Sequence, residues 1–368
     1  MMQRILFFLL ALIILACNRN TIIKDGQFPQ GDNEFIPPKN IILLIGDGMG
    51  ISQITAGMIT NNNTTALEKF PVTGLHKNTA YDNLITDSAA GATAFACGVK
   101  TYNGAVGVGP DTMPVQSILE EAEKNNMATG LISTSTIVHA TPASFIAHNR
   151  QRRNYEEIAT DFLKTDIDFF IGGGKKYFDR RSDDRDLIEE LKVKGYQISD
   201  YFKEDLDKVK IRKNMFGYLT SDEDPLPHSG GRDYLLLAAQ MGLSHLSKND
   251  EGFFLMIEGA QIDWGGHSNL SEYIISEFLD FDRTIEEVIS WAEKDGQTLV
   301  IVTADHETGG YSINPGSTRD SLITAFTSDY HTGTMIPVFA FGPGAELFGG
   351  IYDNTAIYHK MRAAKKWK

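Results

Sequence analysis

Two hydrophobic patterns alternate along this chain. Short, largely apolar runs occupy residues 40–45, 128–133, 168–171, 252–257, 298–303 and 336–341, with the length and continuity of parallel strands buried on both faces. Residues 114–125, 183–194, 232–248 and 271–293 space their apolar positions three or four apart instead, as amphipathic helices do. No segment repeats at a fixed period, so the alternation predicts a single α/β domain.

The strands end in polar chemistry. Residues 46–50 read Gly-Asp-Gly-Met-Gly and put Asp47 at the C-terminal end of the first strand, where open α/β sheets bind ligands. Alone, an aspartate between glycines is an ordinary turn. The run ending at Ile257 is followed by Glu258, Asp263 and His267, and the run ending at Thr303 by Asp305 and His306; His331 precedes the last strand. His139 and Thr141, two apart on what reads as extended backbone, are expected to face one side. Carboxylates and imidazoles without a thiolate suit zinc in an open catalytic site. Carboxylates with a threonine hydroxyl suit magnesium. The inventory is enough for more than one ion, and two cations about 4 Å apart can clamp a phosphoryl transfer. Arg150, Arg152 and Arg153 follow closely; one can fork onto a phosphate or carboxylate, and at least one must be solvated surface.

One further stretch carries no such period. Residues 85–93 read Ile-Thr-Asp-Ser-Ala-Ala-Gly-Ala-Thr, an acidic residue and a serine followed by very small residues. That suits a serine at a helix N-terminus, where free N–H groups and the helix dipole favour an oxyanion. Ser88 is therefore a candidate nucleophile, although a plain helix start capped by Asp87 or Ser88 fits the same residues.

Composition narrows the partners. The 368 residues, 42% hydrophobic and 22% charged, are ordinary for a globular protein with a large core. A net charge of −14 argues against nucleic-acid binding, which needs clustered Lys and Arg. An anionic substrate stays open, because divalent cations invert the field of an acidic site.

Residues 1–17 read as a targeting segment. Arg4 precedes an apolar run over residues 5–16 that is short for a membrane span and right for a secretory signal. Ile14-Leu15-Ala16-Cys17 resembles a bacterial lipoprotein signal, cleaved before a cysteine that takes lipid and anchors the exported chain to a membrane, facing the periplasm or cell surface. A plain secretion signal or an uncleaved anchor fits too, and either exports the protein. Residues 18–39 are polar and aperiodic, a tether, leaving 40–368 as the folded domain. With Cys17 assigned to lipid, Cys97 has no partner and no intrachain disulfide is expected.

With these sites in place, the chain from about residue 40 to 341 resembles the alkaline phosphatases. Residues 85–93 match the family's nucleophile pattern throughout, and Thr101-Tyr102-Asn103-Gly104 is also family-like. The resemblance implies an α/β three-layer sandwich, with a large, mostly parallel central sheet and helices on both faces. It also implies metal-dependent hydrolysis of small phosphomonoesters through a phosphoserine on Ser88. One zinc would be held by Asp263, His267 and His331, a second by Asp47, Asp305 and His306, and a magnesium by Asp47, Thr141 and Glu258. Arg152 falls where the family's arginine binds the phosphoryl oxygens; Arg150 and Arg153 do not.

Two positions depart from the best-studied bacterial pattern, in which an aspartate and a lysine stand where this chain has His139 and Trp264. His139 is a further metal candidate: it ligates directly, acts through water, or shifts the third site from Mg²⁺ toward zinc. Monomer and homodimer are both open. Related phosphodiesterases, sulfatases and phosphoglycerate mutases share the two-metal core. Thr141, Glu258 and Arg152 favour a monoesterase, with a phosphodiesterase as the alternative. A non-catalytic phosphate- or metal-binding lipoprotein is expected to lack Ser88 or several ligands, and here none is missing.

Overall fold

The computed structural model describes residues 36–367. The expected signal segment and residues 18–35 of the tether lie outside the described residues. In chain order, β1 (Asn40–Gly46), β2 (Val72–Lys77), β3 (Ala128–Thr136), β4 (Phe169–Gly173), β5 (Gln197–Asp200), β6 (Phe216–Leu219), β7 (Phe253–Gly259) and β8 (Thr298–Thr303) come first. Four two-residue strands follow: β9 (Glu307–Thr308), β10 (Ser312–Ile313), β11 (Thr324–Ala325) and β12 (His331–Thr332). The last two strands are β13 (Ile336–Phe341) and β14 (Gly350–Asp353). Ten of these form one sheet in the order β14-β2-β13-β8-β1-β7-β3-β4-β6-β5. Within it β13 runs against both of its neighbours, and every other adjacent pair is parallel.

The unbroken apolar character of the central strands follows from what covers them. On β1, Ile41, Leu43 and Ile45 join the core on one side of the sheet, and Ile42 and Leu44 the core on the other. Phe254 and Met256 of β7 divide from Leu255 and Ile257 in the same way, as side chains of period two must. The helices Ser88–Cys97, Ile118–Lys124, Tyr155–Asp161 and Ala356–Lys365 contribute to the first core. Ile51–Thr60, Leu235–Leu246 and Ser271–Asp295 contribute to the second. The result is the expected three-layer α/β sandwich.

Several expected boundaries move for local reasons. The helix expected at 114–125 is Ile118–Lys124, because Ser117 and Glu120 form a reciprocal capping box that fixes its start. The helix expected at 183–194 is Leu187–Lys194, capped by the Asp186 carboxylate on the Glu189 N–H at 3.1 Å. The extended backbone expected through His139 and Thr141 is corrected. Ala140–Ile146 is a helix with His139 at its N-cap, and Pro142 sits in its first turn, where a missing N–H costs nothing.

His76 on β2 is fully buried, with Nε2 2.9 Å from the Ala304 carbonyl and its ring edge-on to Phe95. Burial pushes its pKa from 6.5 down to about 4, so the folded ring is neutral and its Nε2–H donates. As pH falls through that window the unfolded chain binds the extra proton first. Stability present above pH 6.5 is therefore lost progressively toward pH 4, by up to about 3 kcal/mol. Thermal unfolding of wild type and His76→Gln at pH 4.5 and 7 checks this: the wild type should lose more on acidification. Equal losses would contradict it.

Candidate active site

Strands β8, β1, β7 and β3 are consecutive neighbours near the middle of the sheet and run in one direction, about 4.8 Å apart. Their C-terminal ends therefore deliver side chains to one place. β1 runs into Asp47, and the register sets Ile45 beside Glu258 on β7 and Glu258 beside Ser133 on β3. Asp305 and His306 follow β8 after a single residue, Ala304. At the turn after Asp47, Gly48 has φ +73°, and a Cβ there would lie 2.7 Å from the Asp263 Cα. Only glycine allows that approach. Asp263 and His267 lie four residues apart on the helix Gln261–His267, hence on one face. β12 pairs with β9 so that His331 stands opposite Thr308.

Ser88 is the first residue of the helix Ser88–Cys97, whose residues are all buried. That explains the missing amphipathic period: a helix enclosed on every side needs small or apolar residues throughout. At Gly91 a Cβ would lie 3.0 Å from that of Asp305. Asp87 caps the helix, accepting from the Ala90 N–H at 2.9 Å with one oxygen. Its other oxygen accepts from Arg152 Nη1 at 3.0 Å. One carboxylate thus fixes both the serine and the guanidinium. Arg152 Nη2 lies 3.4 Å from His139 Nε2, while Arg150 and Arg153 are exposed.

The donor set fits divalent cations. Potential ligand atoms of Asp263, His267 and His331 lie within 4.8 Å of one another, as do those of Asp47, His139 and Glu258 and those of Asp47, Asp263 and His306. Asp305 joins the last group: His306 Nε2 is 3.2 Å from Asp305 Oδ2 and 3.4 Å from Asp47 Oδ1. The Nδ1 atoms of His267 and His331 lie 2.6 and 2.8 Å from the carbonyls of Asp329 and Thr86, so each donates there. Their Nε2 atoms then approach each other to 3.2 Å, an arrangement that a shared cation, displacing any proton there, stabilises. Both oxygens of Asp47, one each of Glu258 and Asp305, and Nδ1 of His139 are buried without a hydrogen-bond partner, which is costly unless an ion satisfies them.

Electrostatics agree. Burial, followed by repulsion from Asp305, Asp263 and Glu258, raises the Asp47 pKa well above its ordinary value. Burial also raises Glu258 to about 7 against opposing hydrogen bonds from Ser133 and Ser135. Asp305 rises to about 7 through burial and the Asp263 charge. Asp263 goes the other way: burial is outweighed by a hydrogen bond from His267 and the charges of His306, His331 and His267, which hold it low. His267, hydrogen-bonded to Asp263, rises to about 9. Burial pushes His306 well down and His139 to about 3.

All the sequence-derived candidates meet here, with Thr141 buried in the first turn beyond His139. Four supporting residues were not anticipated. Ser133 donates to Glu258 at 2.5 Å and Ser135 donates at 3.3 Å. Thr308 donates to Asp263 and lies 3.2 Å from His306 Nδ1. Glu307, buried between two site residues, is the fourth. The readable signal was Ser-Thr-Ser-Thr at 133–136, a polar run finishing an apolar strand where an exposed end would have no need of hydroxyls.

A buried serine at a helix N-terminus, beside carboxylates and imidazoles gathered at a parallel sheet's C-terminal edge, defines a metal-binding hydrolase. The alkaline phosphatase profile matches residues 38–322. Alkaline phosphatase 3 of Bacillus subtilis is 34% identical over 95% of this chain and 95% of its own. The alkaline phosphatase of Escherichia coli is 32% identical over 89% and 86%. The solved alkaline phosphatase of the Antarctic bacterium TAB5 superposes with a TM-score of 0.86 at 44% identity, covering 91% of this chain and all of that one. This chain belongs to the alkaline phosphatase family and hydrolyses phosphate monoesters.

Metal binding must displace protons from these ligands. Near pH 7, His267⁺ and the partly protonated Glu258 and Asp305 should together release about two protons per chain. Zinc titration of metal-stripped protein in weak buffer, read by a pH indicator, measures this. Release should shrink above about pH 9, once His267 is already neutral; zinc uptake at pH 7 with no release would contradict the assignment.

Proposed function

We propose that Ser88 is the nucleophile of a two-step phosphomonoester hydrolysis. In the first step the Ser88 oxygen attacks phosphorus, the bond to the ester oxygen breaks, and the alcohol leaves with a proton. In the second, water attacks the phosphoserine, freeing inorganic phosphate and restoring the hydroxyl. The observation that carries this reading is the position of Ser88 Oγ, 3.3 Å from His306 Nε2, a nitrogen that itself lies 3.4 Å from Asp47 Oδ1 and 3.2 Å from Asp305 Oδ2. His306 is not placed as a triad base. Its Nδ1 faces the Thr308 hydroxyl rather than a carboxylate, and its Nε2 is shared with Asp47 and Asp305.

One zinc would be held by Asp263, His267 and His331 and a second by Asp47, Asp305 and His306, with a third ion at Asp47, Thr141 and Glu258. Bound there, the ions would lower the pKa of the Ser88 hydroxyl and of a water, and neutralise developing charge. The chain supplies the remainder: the helix N-terminus faces the phosphoryl oxygens, and Arg152, aimed by Asp87 at 3.0 Å, forks onto them. His139 groups with Asp47 and Glu258, so we assign it to the third site and expect that site to favour zinc over magnesium. In support, two variants of the TAB5 enzyme, with a histidine replaced by aspartate or glutamate, are described with magnesium in the M3 site.

Residues 1–17 would export the chain, with Cys17 lipidated and 18–39 tethering the catalytic domain, 40–368, to a membrane. Among the described residues no helix is long and apolar enough to cross one. A Cys17→Ser chain expressed in bacteria should lose metabolic palmitate labelling; labelling that persists would refute the anchor.

Ser88→Ala should lower kcat on a phosphomonoester on the order of 10³-fold or more and abolish acid-trapped phosphate label on the protein. Arg152→Ala should raise KM roughly 10- to 100-fold, for loss of about 1.5–3 kcal/mol of charge-assisted hydrogen bonding. Steady-state assays with a monoester and a diester check both. Undiminished turnover by Ser88→Ala would overturn the mechanism, and a preference for the diester would favour the phosphodiesterase reading.

A further inference from the structure

We propose that Glu307 is a positioning residue that keeps three ligand-bearing segments in register, acting through Thr332 and Gln53. This inference rests on the metal assignment above. Glu307 sits between His306 and Thr308 and is 5% exposed, yet it stands in none of the metal-ligand groupings. Its oxygens are taken by protein donors. Oε1 accepts from Gln53 Nε2 at 2.7 Å and the Tyr311 N–H at 3.0 Å; Oε2 accepts from the Gly310 N–H at 3.2 Å and from the Thr332 hydroxyl.

The four donors come from three pieces of the site. Gln53, fully buried, lies on the helix Ile51–Thr60 that follows the Asp47 turn. Gly310 and Tyr311 close the loop that begins with Asp305 and His306. Thr332 adjoins His331, and the β9–β12 pairing sets it opposite Glu307 while His331 stands opposite Thr308. A buried carboxylate with four donors has little capacity left for a cation, and strong reason to stay fixed. The chain makes room for it: a Cβ at Gly50 would lie 2.4 Å from Glu307 Cγ. The side chain thus crosses the Asp47 segment at a point where only glycine allows passage.

Ligands held by second-layer hydrogen bonds lose metal affinity when those bonds are removed, typically 10- to 100-fold. Thr332 is part-exposed, so its replacement tests the link without emptying the core. Metal-stripped wild type, Thr332→Val, Thr332→Ser and Glu307→Gln would be titrated with zinc against a chromophoric chelator, and each apo form melted. The proposal expects Thr332→Val to bind zinc about tenfold or more weakly with an unchanged apo melting temperature, and Thr332→Ser to restore affinity. It expects Glu307→Gln to bind more weakly still, because an amide nitrogen cannot accept from the Gly310 N–H. Wild-type affinity in Thr332→Val overturns it, as does a loss that Thr332→Ser shares or that only tracks a lower apo melting temperature. A wild type that takes up no zinc overturns the metal assignment itself, which distinguishes the two failures. If Glu307→Gln does not fold, the Thr332 pair decides alone.

Discussion

Asp47, Glu258, Asp263 and Asp305 are buried together at one edge of a sheet, and the remainder of the structure has to accommodate that crowding. Four carboxylates out of water repel one another and lack the hydration that would keep them charged. Burial accordingly raises three of the four pKa values. Asp263 escapes because the imidazoles of His267, His306 and His331 surround it. An arrangement of this kind persists when cations complete it, and the same cations give the site its use for a phosphate. Negative charge concentrated by the fold becomes, with metal, a positive pocket inside a protein of net charge −14.

The fold supports the crowding through parallel strands. A strand's C-terminal end is where its chain leaves the sheet, so four adjacent parallel strands bring four such exits together. Glycines then let the segments approach: Gly48 against Asp263, Gly50 against Glu307 and Gly91 against Asp305. Backbone carbonyls and hydroxyls set ring orientations, and Asp87 couples the serine helix to Arg152. Catalytic geometry here is mostly a property of rigid elements, with few long side chains left to arrange themselves.

Most of the candidate site was legible because its residues interrupt apolar runs. Asp47 after Ile45 and Asp305 after Thr303 are abrupt changes that burial on both faces makes visible. The central strands were legible for the same reason. Strands β2, β5, β6 and β14 carry no long apolar run: β2 has mixed burial, β14 is exposed or half-buried at the sheet edge, and β5 and β6 are only four residues each. At His139 the backbone is a helix start and not a strand, and two polar residues two apart fit both equally well. Pro142, in the first turn of Ala140–Ile146, is the residue that favours the helix start. Glu307 escaped notice because its value lies in four hydrogen bonds to segments distant in sequence, and no local pattern encodes them. The family resemblance assigned the ligand sets; spacing alone had left zinc and magnesium, and one ion or several, undecided.

The central claim is that the converging strand ends form a metal-held pocket around Ser88. Anomalous difference maps at the zinc edge, from crystals grown with zinc and inorganic phosphate, test it most directly. The account predicts one peak among Asp263, His267 and His331 and another among Asp47, Asp305 and His306, with phosphate between Ser88 Oγ and Arg152. Zinc bound elsewhere, or phosphate held away from Ser88 with both sets vacant, would contradict it.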